Sequence, residues 1–290
     1  MLTDQIIRSA VRRALAEDAP WGDLTTELAI PEGAEFQARV IAREAGVFAG
    51  GPLVVAAFTE TDPRVEIVGL APEGAPFVAG DELARITGPA RGILTGERVA
   101  LNFAQRMSGI ASLTSRYVAK VAHTRARIAD TRKTTPGLRA LEKHAVRAGG
   151  GANHRFGLSD SIMVKDNHLA ALGAVDPETT TAALTKLRER AGHTTSIIVE
   201  VDRLDQLEAV LAAGVTGVLL DNFSLDDLSA AVRLIDGAVI AEASGGVTLD
   251  TVTGIAETGV DVISVGQLTH GARALDLGLD AGIDTGLDEG

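Results

Sequence analysis

Charged side chains directly follow short apolar runs at several places in this sequence. The polar residues that stand after four such runs are Thr131, Arg132, Lys133, Lys165, Glu200, Asp202 and Asp221. Short apolar runs that alternate with helical periodicity are typical of buried parallel strands. Because the carboxyl ends of barrel strands open onto the active site, we expect these side chains to face one ligand.

Two clusters of cations suit an anionic ligand. Arg132 and Lys133 lie among threonine hydroxyls just before a predicted helix, where a carboxylate or a phosphate is favoured. Three glycines at 149–151 precede His154 and Arg155, and glycine lets a backbone turn sharply or approach a ligand closely. A solvated basic turn and a helix C-cap are the alternatives, and the position at strand ends favours the ligand.

Lys165 follows three apolar residues, so we expect its side chain to be partly buried. A buried lysine needs a neighbouring anion or loses its proton. Two chemistries fit this setting: binding of a substrate carboxylate, or formation of a Schiff base as in barrel aldolases. The alternative is a structural ion pair with Asp166 or with a carboxylate on a neighbouring strand.

The carboxylates of Glu200, Asp202 and Asp221 are predicted at neighbouring strand ends. Acidic groups beside a phosphate pocket suggest Mg²⁺, which is usually bound by one or two carboxylates together with substrate phosphates. They equally suit the hydroxyls of a ribose. Ion pairing with Lys133 or Lys165 is the structural alternative, and the three possibilities remain open at this stage.

Two glycine motifs close the last two predicted strands. Ser244, Gly245 and Gly246 follow one strand, and Gly266 follows the other. Loops in this place often bind phosphate through backbone N–H groups. The remaining histidines have no ligand-like spacing and are interpreted as structural: His123, His144, His193 and His270.

Composition restricts the classes of function. The formal net charge of −12 argues against general nucleic-acid binding, which needs a basic surface. No apolar run reaches about 18 residues, so no membrane span is predicted. The amino terminus has no basic region followed by an apolar stretch, and the chain has no cysteine. A cytoplasmic protein fits these features. Two of the five lysines, Lys133 and Lys165, lie at predicted strand ends, and an acidic protein that concentrates cations in one cleft suits an anionic small molecule.

The fold class is predicted as α/β. A mixed region of about a hundred residues precedes a long helix, and regular alternation of strands and helices then runs to about residue 266. Only six strands are visible in that alternation, which suggests an open or incomplete α/β barrel. A further short helix is predicted in the tail.

Taken together, the motifs of this chain resemble the quinolinate phosphoribosyltransferase family, also called the carboxylating nicotinate-nucleotide pyrophosphorylases. The resemblance covers nearly the whole chain and lies in residues 17–18, 22–26, 96–102, 108–111, 130–138, 149–155, 163–168, 219–223 and 242–247. It implies an N-terminal α/β sandwich domain of residues 1–108, joined by a C-terminal helix at 270–290. Residues 109–269 would form the barrel domain.

The resemblance also implies the reaction of quinolinate with phosphoribosyl pyrophosphate and Mg²⁺ to give nicotinate mononucleotide, pyrophosphate and CO₂, in NAD biosynthesis. It implies a homodimer with shared active sites, or a higher oligomer built from it. The family's substrate-binding positions correspond to Arg98 from the partner subunit and to Thr131, Arg132, Lys133, His154, Arg155, Lys165, Glu200, Asp202, Asp221, Ser244, Gly245, Gly246 and Gly266. Of these, the catalytic positions would be Lys133, Lys165, Glu200 and Asp221, with Glu200 and Asp221 also holding the metal.

Three alternatives remain. A paralogous pyrophosphorylase would transfer phosphoribosyl to a different acceptor without decarboxylation. A Schiff-base barrel aldolase would use Lys165 as its nucleophile. A binding barrel for a phosphate metabolite would hold phosphoribosyl pyrophosphate and release no pyrophosphate.

Overall fold

A computed structural model of the chain describes residues 2–281, which fold into two compact units. The first unit comprises residues 2–113, 135–150 and 272–281, and the second comprises residues 114–134 and 151–271. The predicted domain boundary between residues 108 and 109 falls inside one long helix, and it stays a prediction.

Up to that long helix the elements are α1 (Asp4–Asp18), α2 (Leu24–Ala29), β1 (Glu35–Ala42), β2 (Gly46–Val47), α3 (Gly51–Thr61), β3 (Glu66–Val68), β4 (Pro76–Phe77), β5 (Glu82–Pro89) and α4 (Ala90–Val121). The next elements are β6 (Arg127–Ala129), α5 (Arg139–Ala148), β7 (Ile162–Val164), α6 (Asp166–Ala171), α7 (Pro177–Arg190) and β8 (Ile197–Val201). A 3-10 turn, Leu204–Gln206, precedes α8 (Leu207–Ala212), β9 (Gly217–Asp221), α9 (Leu225–Ile235), β10 (Ile240–Ser244), α10 (Val252–Glu257), β11 (Val262–Ser264), α11 (Gln267–His270) and β12 (Leu277–Ala281).

The first unit contains an antiparallel sheet with the strand order β12-β1-β5-β3. The sequence alternation in β1 buries Ala38, Val40 and Ala42 on one face, as expected for a strand with one side on a core. Helix α1 begins at Asp4, where the side chain of the N-cap residue Thr3 accepts a hydrogen bond from the Ile6 N–H. The mixed α/β N-terminal region predicted from the sequence is therefore confirmed.

The predicted C-terminal helix at 270–290 is wrong for residues 271–281. Residues 272–276 have no helical structure, and Leu277–Ala281 forms β12, which pairs antiparallel with β1. The apolar residues Leu277 and Leu279 alternate with Gly278, which suits an edge strand better than one face of a helix. The rest of the prediction, residues 282–290, lies outside the described residues.

Helix α4 is continuous across Gly109, a residue that usually weakens a helix. A Cβ at residue 109 would collide with the backbone carbonyl of Arg273. The glycine therefore serves the close approach of another chain segment rather than a break in the helix.

The second unit is built on a six-stranded parallel sheet with the order β6-β11-β10-β9-β8-β7. Strand β11, the last of the six in the chain, pairs with β6, the first of the six. The strands therefore follow one another around a barrel that is open between β6 and β7. The central strands are almost wholly apolar and buried, with Val218 and Leu220 at 0 % exposure. The predicted open barrel of six strands is confirmed.

Among residues 2–281, no helix combines the length and the apolar character that crossing a bilayer requires.

Candidate active site

A cavity of about 710 Å³ opens at the carboxyl ends of the parallel strands, within the second unit. Its wall brings together twelve of the predicted residues: Thr131, Arg132, Lys133, His154, Arg155, Lys165, Glu200, Asp221, Ser244, Gly245, Gly246 and Gly266. Ten of them lie at or just beyond the carboxyl ends of six strands, which meet at one edge because all six run in the same direction. The other two, His154 and Arg155, lie in the segment between α5 and β7.

Two predicted residues lie elsewhere. Asp202 comes one residue after β8 ends, is exposed, and has its carboxylate 3.5 Å from an Arg203 guanidinium nitrogen. The strand alternation that aims Glu200 at the cavity has stopped at that point, so Asp202 turns to solvent. Arg98 lies in the α4 segment of the first unit, and its side chain is exposed.

The turn after β6 presents two exposed cations, Arg132 and Lys133. Its shape is held by hydrogen bonds to the Lys133 backbone, whose N–H donates to Thr131 Oγ1 at 3.0 Å. The Lys133 carbonyl accepts a hydrogen bond from Thr269 Oγ1 at 2.6 Å. Because Thr269 is fully buried, the backbone under the lysine is anchored while the side chain stays available to a ligand.

The second pair of predicted cations, His154 and Arg155, rests on a carboxylate that the sequence analysis did not single out. Asp130 is fully buried and accepts hydrogen bonds from the His154 N–H at 2.8 Å and from Asn153 Nδ2 at 2.6 Å. Burial lowers the pKa of the Arg155 guanidinium, and the positive charge of Arg132 lowers this pKa further. An anion placed between these guanidinium groups would relieve their repulsion.

A second missed carboxylate, Glu242, lies in the cavity wall with only 5 % exposure. It accepts a hydrogen bond from the Ser264 hydroxyl and lies 3.4 Å from His154 Nε2. The other ring nitrogen, Nδ1, accepts from the Arg155 N–H at 2.6 Å. Both ring nitrogens of His154 therefore contact groups within the protein. These contacts hold the ring in one orientation, so it serves as a fixed part of the cavity wall more than as a cation that binds the ligand.

The sequence did contain a signal for Glu242, since it follows an apolar run in the same way as Glu200 does. Nothing in the sequence marked Asp130 as different from an ordinary strand-end aspartate. Only the hydrogen bonds to the His154 segment, 24 residues further along the chain, reveal what Asp130 holds.

Lys165 is half-buried and forms an ion pair with Glu200, whose side chain is only 19 % exposed. The two residues end the paired strands β7 and β8. The structural alternative of an ion pair to a neighbouring strand is therefore present in the structure. It does not exclude a substrate role, because both side chains also line the cavity.

Asp221 ends β9, and the next residue, Asn222, donates from its side-chain nitrogen to Asp221 Oδ2 at 2.8 Å. Beyond the neighbouring strand β10, Gly245 and Gly246 have φ angles of +93° and +58°. Such left-handed backbone favours glycine and exposes N–H groups in the way that anion-binding loops do. A carboxylate and a candidate phosphate loop are thus adjacent.

The cavity wall has further members that the sequence analysis did not assign: Met163, Leu219, Val247, Thr248, Ser264, Gln267 and His270. His270 was interpreted as structural, and its place in the wall corrects that interpretation. Its spacing gave no signal, because it is the last residue of a four-residue helix whose position only the fold defines. Two of the other histidines contact carboxylates outside the cavity: His123 Nε2 lies 3.1 Å from Glu257 Oε1, and His144 Nε2 lies 2.6 Å from Glu73 Oε2.

An open α/β barrel with crowded cations, two strand-end carboxylates and a glycine-rich loop around one cavity defines a protein that binds a multiply charged, phosphate-bearing anion. Comparison with known families is consistent with this class. Residues 23–108 match the model of the quinolinate phosphoribosyl transferase N-terminal domain, and residues 110–280 match that of the C-terminal domain. The chain belongs to the quinolinate phosphoribosyl transferase family.

Individual relatives cover almost the whole chain. A nicotinate-nucleotide pyrophosphorylase [carboxylating] of Mycobacterium leprae is 43% identical over 278 residues, which is 94% of this chain and 96% of that protein. A probable enzyme of the same name from Bacillus subtilis is 40% identical over 273 residues, 94% of this chain and 92% of its own. The solved nicotinate-nucleotide pyrophosphorylase of Francisella tularensis superposes with a TM-score of 0.90 at 36% identity, covering 97% and 98% of the two chains.

Proposed function

We propose that this protein transfers the phosphoribosyl group of phosphoribosyl pyrophosphate to quinolinate, giving nicotinate mononucleotide, pyrophosphate and CO₂ in NAD biosynthesis. The observation that carries the proposal is one cavity that combines four basic side chains, two strand-end carboxylates and a glycine-rich loop. Quinolinate is a dianion and its co-substrate is a polyanion, so both ligands match the charges of the wall. The relatives named above as carboxylating pyrophosphorylases support the same reaction.

Different basic side chains of the cavity would bind the two anionic substrates. Arg132, Arg155 and Lys165 suit the two carboxylates of quinolinate, since guanidinium groups bind carboxylates through paired hydrogen bonds. Lys133 projects beside Gly266, where a Cβ would lie 3.0 Å from the lysine Cδ. We assign Lys133 to the pyrophosphate-bearing ribose, and the loop at Ser244, Gly245 and Gly246 to its 5′-phosphate.

The chemistry needs no protein nucleophile. The pyridine nitrogen forms a bond to C1 of the ribose while the bond from C1 to the pyrophosphate oxygen breaks. The quaternary nitrogen then stabilises the electron pair left when the adjacent carboxylate departs as CO₂, and a proton takes its place. Positioning and preorganised charge from Lys133 and Lys165 would do most of the catalytic work.

Mg²⁺ is proposed as the cofactor, held by Glu200 and Asp221 together with ligand phosphates. The described residues contain no group of three or more histidine, cysteine or acidic side chains that could hold a metal by themselves. Two carboxylates at the ends of the adjacent strands β8 and β9 fit the donor set that Mg²⁺ usually takes in phosphate sites. Bound there, Mg²⁺ would neutralise charge on the departing pyrophosphate.

We further propose a homodimer in which the partner subunit's Arg98 completes each site. Arg98 is an exposed arginine on α4, and the family resemblance assigns it to the neighbouring active site. A two-fold arrangement, in which the same surfaces of both subunits meet, would let each chain both give and receive this cation. A cytoplasmic location remains part of the proposal.

The Schiff-base aldolase is disfavoured by the ion pair between Lys165 and Glu200. A lysine nucleophile needs a neutral amine, and a carboxylate partner stabilises the ammonium form. Borohydride added with substrate would trap a covalent adduct only if the aldolase assignment were correct.

The proposed function is tested by an acceptor series with phosphoribosyl pyrophosphate and Mg²⁺, following pyrophosphate release. We expect turnover of quinolinate and a loss of roughly 100-fold or more in kcat/KM for nicotinate, because an absent carboxylate leaves cations of the wall uncompensated. Comparable use of nicotinate would support the paralogous pyrophosphorylase instead. Tight binding of phosphoribosyl pyrophosphate without turnover of any acceptor would indicate a binding protein.

A further inference from the structure

Asn222 adopts a backbone conformation that few residues with a side chain adopt. Its φ angle is +57°, and only one other non-glycine residue among those described, Asp236, has a positive φ. Asparagine, aspartate and glycine tolerate this left-handed region better than other residues. The backbone conformation alone would therefore accept any of these three residues at position 222.

The side chain of Asn222 makes contacts that the backbone conformation does not require. On one side its nitrogen donates to Asp221 Oδ2 at 2.8 Å. On the other side it lies against Gly245, where an added Cβ would collide with the amide oxygen and lie 2.9 Å from the Asn222 backbone nitrogen. The Asn222 N–H also donates to the Ser244 carbonyl at 2.9 Å, which extends the pairing of β9 with β10.

Asp221 and Gly245 both line the cavity, whereas Asn222 does not. Asn222 is exposed and contacts two functional parts of the cavity wall at once. One is the carboxylate assigned to the ribose and the metal, and the other is the loop assigned to the 5′-phosphate. A single ligand that spans both parts needs them at a fixed separation.

We propose that Asn222 is a positioning residue that locks the Asp221 carboxylate to the phosphate loop and so sets affinity for phosphoribosyl pyrophosphate rather than for quinolinate. The proposal deepens the proposed function and rests on its assignment of the ligand halves. The left-handed backbone aims the amide back at Asp221, and the missing Cβ at Gly245 makes room for it.

Two substitutions separate this role from a simple turn. Asn222→Gly keeps the left-handed backbone and removes the amide. Asn222→Asp keeps the shape and replaces the donor with a carboxylate that faces Asp221. The matched control is Asp236→Gly, which likewise removes the side chain of a left-handed residue, here at the exposed C-cap of α9 and outside the cavity wall.

Calorimetry with phosphoribosyl pyrophosphate and Mg²⁺, without acceptor, measures the Kd directly. We expect the Kd and the KM for this ligand to rise at least about 10-fold in both Asn222 variants, with the larger rise in Asn222→Asp. The KM for quinolinate should stay within about twofold, and Asp236→Gly should match the wild type.

Unchanged affinity for phosphoribosyl pyrophosphate in either folded variant would overturn the proposal. It would show that Asn222 serves only the backbone turn after β9. Equal rises of both KM values would also overturn it, because they indicate a general loss of structure. If the wild type binds phosphoribosyl pyrophosphate but does not turn over quinolinate, the proposed function fails while the calorimetry still decides the role of Asn222. Thermal unfolding identifies any variant that does not fold, and the other variant then decides the outcome.

Discussion

Replacing Lys165 by alanine is the perturbation that the site geometry predicts in most detail. The change removes a half-buried ammonium from the cavity wall and leaves the Glu200 carboxylate, 19 % exposed, without that partner. A unit charge about 4 Å from a ligand charge is worth about 4 kcal/mol near a protein surface, and about half of that for a half-exposed lysine. The carboxylate left behind repels the anionic ligands by a similar amount, so we expect kcat/KM to fall roughly 10²- to 10³-fold.

The stability of the Lys165→Ala protein should change by no more than about 1 kcal/mol, because partly exposed ion pairs contribute little to folding. The assay pairs steady-state kinetics with urea unfolding, and Lys186→Ala on α7 is the control for an exposed lysine outside the cavity wall. Near-normal kinetics in a folded Lys165→Ala protein would refute the reasoning and leave a structural ion pair.

The double variant Lys165→Ala/Glu200→Gln separates the two roles of Glu200. If Glu200 only pairs with the lysine, removing its charge should restore roughly 10-fold of the lost kcat/KM. If Glu200 also binds the ribose or the metal, the double variant should be at least as impaired as Lys165→Ala. We expect the second outcome.

Three other predictions concern the dimer, a buried carboxylate and pH. The homodimers of Arg98→Ala and of Lys133→Ala should each be nearly inactive. Random mixing of subunits of these two variants should restore about a quarter of wild-type activity. No recovery of activity after confirmed mixing would reject the shared site. Glu242→Ala should lower the free energy of unfolding by about 2–3 kcal/mol and Glu242→Gln by less than half of that, measured by urea denaturation, because only alanine leaves buried polar groups unpaired. Hydrogen bonds from Arg273 and a backbone N–H hold the pKa of Glu44 at about 2, below its ordinary 4.5, so its stabilisation is present above pH 4.5 and is lost as pH falls towards 2. Glu44→Gln should therefore cost about 1 kcal/mol at neutral pH and much less near pH 2, and an equal cost at both pH values would contradict this assignment.

The parallel strands could be predicted because each is a short apolar run whose burial dictates its composition. Val218 and Leu220 have no other environment that suits them, and the polar residue that ends such a run must lie at the open edge of the sheet. This single rule found most of the cavity wall, including cations that lie 33 residues apart in the chain, Arg132 and Lys165.

The rest depended on contacts that the sequence does not encode locally. The last strand, β12, has only five residues, so its alternation is a weak signal for a strand until β1 supplies the pairing partner. Asp130 holds the His154 segment through hydrogen bonds, and His270 lines the cavity through the position of helix α11. Both contacts are defined only once the chain has folded. Asp202 was assigned with Glu200 because both follow one apolar run, and the end of β8 at residue 201 separated them.

The most direct test of the proposed reaction uses quinolinate labelled with ¹³C in the carboxylate next to the ring nitrogen, together with phosphoribosyl pyrophosphate and Mg²⁺. Labelled CO₂ and pyrophosphate are measured in the same sample over time. The cavity with its excess of cations predicts one labelled CO₂ for each pyrophosphate released, and an unlabelled nicotinate mononucleotide product. Pyrophosphate release without labelled CO₂, or no release of either product, would contradict the account.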